Sequence, residues 1–157
     1  MEYGFLKLIH RIAVMLFLGN IITGLFRIRI AVKLQEFKII NFGMNGIIKA
    51  DRYFTVPGVI IITIGGILAA AYGHFPIWKT GWIFWSIIMC SISGIVFSIK
   101  LVPVQKKIYT LTKNTEGSTG FNWRQFNKLY SEWDIWGLIA VATPLAVFVM
   151  MILKIPQ

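Results

Sequence analysis

Long apolar stretches broken by short basic ones dominate the chain. A transmembrane helix needs about 20 mostly apolar residues, because the hydrocarbon layer is about 30 Å thick and an α-helix rises 1.5 Å per residue. Four stretches meet that need, at residues 5–26, 54–73, 80–99 and 135–153. The last three contain no charged side chain. The first carries Lys7, His10 and Arg11 in its opening turns, where long side chains snorkel to the headgroups, so it also reads as a span. The pattern predicts an all-α integral membrane four-helix bundle, one membrane domain over residues 1–157 with no internal repeat and no room for a second domain.

Between the first two spans lie Arg27, Arg29, Lys33, Lys38, Lys49 and Arg52, and between the last two lie Lys100, Lys106, Lys107, Lys113, Arg124 and Lys128. The other side of the membrane receives only Lys7, Arg11, Lys79 and Lys154. By the positive-inside rule both basic loops are cytoplasmic and both termini lie outside, with a short outer hairpin near Gly73 to Lys79. This is the layout of a multi-pass cell-membrane protein, as in a bacterial inner membrane. The opening residues lack the basic region and cleavage site of a signal peptide, so the first apolar run is expected to stay as a span.

Interfacial aromatics fit the same picture: Tyr72, Phe75, Trp78 and Trp82 at the outer hairpin, and Tyr53, Phe54, Trp133 and Trp136 at the inner side. Asn114 to Gly120 reads as a break. Residues 121–134, with Phe126, Leu129, Tyr130 and Trp133 at helical spacing, read as an amphipathic segment lying on the membrane.

The composition agrees: 57% hydrophobic, 14% charged and a mean hydropathy of +0.71. The formal charge of +10 would suggest nucleic acid in a soluble protein, but here the charges flank apolar runs and nucleic-acid binding is not expected. The expected surroundings are the lipid bilayer and either other membrane subunits or further copies of the chain. The single Cys90 excludes a disulfide framework.

Lipid tails are as apolar as leucine, so membrane helices associate through small residues and a few polar contacts. Candidate packing positions are Gly66, Ala70 and Gly73 on the second span, Ser86, Cys90 and Gly94 on the third, and Gly137 and Ala140 on the fourth. Pro57 is expected in the first turn of the second span with Thr55 as its cap. Pro144 should kink the fourth span and free the carbonyl of Ala140 for a neighbour or a water.

On the first span His10, Ala13, Phe17, Asn20, Gly24 and Arg27 share one face, the most polar stripe of the membrane part. An intramembrane histidine is the leading cofactor candidate, with His74 at the same end as a weaker second. The methionines are better explained by packing than as copper ligands. There is no phosphate loop and no nucleophile with a base at recognisable spacing, so an enzyme is not expected. The apolar runs hold no Asp or Glu, which argues against a carboxylate relay of protons or cations.

Phe5-Leu6-Lys7-Leu8-Ile9-His10, the later Gly19-Asn20, the stretch Asp51-Arg52-Tyr53-Phe54-Thr55-Val56-Pro57-Gly58 leading to Gly65-Gly66, and Trp133-Asp134-Ile135-Trp136-Gly137 together resemble an uncharacterised family of small four-helix integral membrane proteins. That family is distantly similar to HemJ-type protoporphyrinogen oxidases and to the copper-resistance protein D membrane domain, which share a histidine early in the first helix. The resemblance implies that His10 is a haem b ligand. The HemJ type also has a lysine in a later helix, whereas residues 80–99 here are uncharged. Three functions follow as expectations: a scaffold or accessory subunit of a membrane complex, a haem-b-binding redox protein using His10, and transport of copper or a small solute.

Overall fold

The computed structural model describes residues 2–114 and 120–156. Among these residues six α-helices form in chain order: α1 (Glu2–Lys33), α2 (Phe37–Ala50), α3 (Val56–Tyr72), α4 (Gly81–Val96), α5 (Val102–Lys113) and α6 (Trp123–Leu153). Two π-helical turns, Asp51–Thr55 and Phe97–Leu101, join α2 to α3 and α4 to α5 without a break. The result is four rods long and apolar enough to cross a bilayer: Gly4–Lys33, Phe37–Tyr72, Gly81–Lys113 and Trp123–Leu153.

Each rod is longer than a bilayer requires. The 32 residues of α1 span about 48 Å against a hydrocarbon layer of about 30 Å, so the rods extend well beyond it. The surplus lies at the end carrying twelve of the 16 Lys and Arg residues, here termed the basic end. Segments expected as basic loops are therefore amphipathic helices. In α2, Ile40 and Met44 face inward while Lys38, Phe42 and Lys49 stay exposed; in α5, Val104, Ile108 and Thr112 do the same against Lys106 and Lys107. The period is helical although the apolar content is too low for a span.

Residues 121–134 differ from expectation in the same way. From Trp123 onward they continue into the last apolar run as one helix, with Phe126 fully buried and Trp133 2% exposed against protein. Residues 115–119 of the expected break lie outside the described residues. The apolar core sits at the basic end, where Leu25, Ile28, Ile40, Met44, Ile108 and Phe126 close together.

Both π turns precede a Val-Pro pair, Val56-Pro57 and Val102-Pro103. Proline cannot bond the carbonyl four residues back, and the helix accommodates this by widening, with the Val56 N–H bonding the Asp51 carbonyl and Val102 that of Phe97. Thr55 is thus helical and caps nothing through its side chain. At Pro144 the expected neighbour is present: the Ser93 hydroxyl donates to the freed Ala140 carbonyl at 3.3 Å, tying α4 to α6.

Towards the termini the four rods pair rather than close. α1 packs on α3 and α4 on α6, whereas α1 meets α6 at the basic end, where Arg29 pairs with Asp134. Among the described residues no Cα of α3 comes within 8 Å of one in α4 or α6. The turn joining α3 to α4 starts at a Schellman stop: His74 is left-handed (φ 54°), its N–H bonds the Ala71 carbonyl, and that of Phe75 bonds Ala70.

Candidate functional site

His10 lies on the face of α1 that packs against α3. Its Nδ1 is 2.9 Å from the Ile62 carbonyl oxygen. A carbonyl only accepts, so Nδ1 carries the proton and Nε2 keeps its lone pair. Gly65 and Gly66 permit this approach, since a Cβ on Gly66 would sit 3.2 Å from the ring carbon Cε1. His10 is therefore half-buried, oriented by a backbone acceptor and seated on a glycine pair.

His74 is not brought to it. That residue is exposed and lies eight residues beyond Gly66, about 12 Å of helical rise, where its backbone ends α3. Among the described residues no three His, Cys, Asp or Glu side chains cluster as metal ligands. The residues present fit a haem or metal in one respect only: His10 offers an oriented nitrogen, without a second ligand from this group.

A second polar group escaped the sequence reading. Asn20 of α1 donates through Nδ2 to the Thr55 hydroxyl at 2.9 Å, and that hydroxyl donates to Asp51 Oδ1 at 2.8 Å. Gln105 of α5 donates through Nε2 to Asp51 Oδ2 at 3.0 Å. Thr55 and Gln105 are each 2% exposed. Asn20, Asp51 and Gln105 line a cavity of about 40 Å³ together with Arg27, Trp133 and Gly137. The Trp133 indole Nε1–H is buried and has no acceptor among the described residues.

The continuous rod explains the miss. A reading by apolar runs stops before Tyr53 and leaves Asp51 in a loop, whereas the π turn carries the helix through it. Asp51 and Thr55, four apart, then share one face. The other acid of the basic end placed between helices, Asp134, accepts from Arg29 Nη2 at 2.8 Å across α1 and α6, at the surface.

The small residues have mixed positions. Ala70, Ser86, Gly137 and Ala140 are buried, and a Cβ on Gly137 would meet Leu25 Cδ2 at 3.2 Å. Gly73 supports the turn, where a Cβ would lie 2.8 Å from the Phe75 ring. Cys90 is exposed and a Cβ on Gly94 would meet nothing within 4 Å, so neither belongs to the α4–α6 contact. The buried residues of α4 are Ile83, Ser86 and Ser93, and Ser93 bonds the Ala140 carbonyl of α6.

The family model described as a predicted integral membrane protein, DUF2269, matches residues 4–155. No curated protein and no solved structure matches the chain. With four membrane-length apolar helices and a family match over nearly the whole chain, the protein belongs to the DUF2269 family of predicted integral membrane proteins.

Proposed function

We propose that the protein is a non-catalytic subunit of a membrane complex, with its basic end in the cytoplasm and its termini outside. The separation of α3 from the α4–α6 pair carries this reading. A chain that shields its own core at the basic end leaves helical surface in the membrane half available to other helices, where small exposed residues such as Cys90 and Ser91 allow close approach. The charge asymmetry supports the orientation. Extraction from its own membranes in mild detergent should give a species larger than the monomer, holding either a second copy or another chain. Recovery of monomer alone overturns the reading.

A second reading, a haem b protein using His10, is supported by the Nδ1–H bond to Ile62. Ligating histidines are commonly oriented by such a bond through their other nitrogen. It predicts a Soret band after expression with ample haem, lost in His10→Ala. A wild-type spectrum without that band removes it.

A further inference from the structure

We propose that the cavity at the π turns is a proton-binding site, in which Asp51 takes up and releases a proton through water held against Trp133. This goes beyond the subunit reading and stands whether or not a partner is found. Three observations combine. Asp51 is half-buried, both its oxygens are held by uncharged donors, Thr55 and Gln105, and it takes part in no ion pair among the described residues. Trp133, 98% buried, lines the same cavity with an N–H that no group among the described residues accepts. A volume of about 40 Å³ accommodates two or three waters, given that one needs roughly 10–15 Å³ on this measure.

The chemistry closes in both charge states. With Asp51 ionised, each oxygen accepts one bond, and a water oxygen accepts the Trp133 N–H. On protonation a hydronium in the cavity gives its proton to Oδ2 and is left as water, forming one O–H bond and breaking another. A half-turn of the Gln105 amide then presents Oε1 to accept the new O–H where Nε2 had donated. Thr55 continues to donate to Oδ1, and the turned Gln105 NH2, which gives up Oδ2, donates to water in the cavity it lines.

The charged surroundings are sparse. From α1 the cavity is faced by Arg27, which is exposed at its outer side. From α2 it is faced by Gly46, Ile47 and Ala50, and from α6 by Trp133 and Gly137, none of them charged. From α5 and its π turn come Phe97, Leu101 and Gln105. Among the described residues Arg27 is thus the one cation lining the cavity, and a proton on Asp51 changes the charge at the point where α1, the first π turn and α5 are hydrogen-bonded together.

The test is an infrared titration of the full chain in nanodiscs of zwitterionic lipid, from about pH 4 to about pH 9, a range that covers ordinary and displaced carboxyl groups. The difference between wild type and Asp51→Asn, in which the other carboxyl groups of the chain cancel, should hold one titrating carboxyl C=O band. That band should be displaced in both Gln105→Leu and Trp133→Phe, which keep the acid and are each compared with their own Asp51→Asn double variant. No titrating band in the first difference, or one that stays unmoved in both other variants, overturns the assignment. So does removal of the band at fixed pH by sodium chloride but not choline chloride, which would make the site one for a metal cation.

Discussion

The basic end and the membrane half of this protein are built from the same four rods but held together differently. At the basic end, Ile28, Ile40, Met44, Ile108 and Phe126 are completely buried, contributed by α1, α2, α5 and α6. In the membrane half large apolar side chains point outward: Met15, Leu16, Ile64 and Ile152 are all exposed. Beyond the bilayer, water drives apolar groups together at about 25 cal/mol per Å². Inside it that drive is missing, and packing and a few polar bonds must serve. One protein thus carries a water-driven core and a lipid-facing half.

The sharpest way to break the comparison is to truncate one phenylalanine from each half. Phe126→Ala should destabilise by about 3–5 kcal/mol, the range for an aromatic removed from a packed core. Phe148, 38% exposed in the membrane half, should lose about 1 kcal/mol or less on the same change. Thermal unfolding of the two variants in one detergent measures the gap, and equal losses would mean that both halves share one kind of core.

Polar contacts should follow the same division with smaller values. Asn41 of α2 donates through Nδ2 to the Thr112 hydroxyl at 2.8 Å and to the Tyr109 carbonyl at 3.1 Å, linking α2 to α5. Asn41→Ala is expected to cost about 1–3 kcal/mol, since it removes bonds at a partly buried joint. In the membrane half, Ser93→Ala removes the bond to Ala140 and should cost only about 0.6 kcal/mol, the average for such bonds between membrane helices. A double-mutant comparison of Tm shifts ranks them directly.

The division also explains what the sequence could reveal. Spans were legible because twenty apolar residues have few alternative uses, and Pro144 announced an orphan carbonyl because proline's missing N–H is a local fact. The joints at Asp51 and Phe97 were hidden. They depend on α2 and α5 being helices with modest apolar content, and on a π turn carrying the chain through the residues before each proline. Trp133 looked like a membrane-belt residue from its position alone, whereas its burial depends on Phe126 and Tyr130 preceding it on the same helix and on α1 beside it. His10 was visible as an intramembrane histidine, but its acceptor, Ile62, lies 52 residues away.

His74 ends α3 in a left-handed turn. Its left-handed backbone costs an L-residue about 1–2 kcal/mol relative to glycine, which adopts that conformation freely. His74→Gly should therefore leave the protein equally stable or raise stability by up to about 1 kcal/mol, because glycine's extra freedom in the unfolded chain offsets part of the gain. Loss of stability instead would show that the imidazole makes contacts outweighing its backbone strain.

The smallest effect is expected where a charge pair faces water. Arg29 and Asp134 bridge α1 and α6 with 44% and 27% of their side chains exposed. Exposed pairs contribute about 0.2–1 kcal/mol, less as salt rises, because solvent and ions screen them. Arg29→Ala should lower Tm slightly at low ionic strength, and the difference from wild type should shrink in high salt. A loss as large as that of Phe126→Ala, unchanged by salt, would place the pair in a dry environment and move the boundary between the two halves outward past Asp134. The basic end would then begin only at the charges of α2, α5 and the first turns of α6.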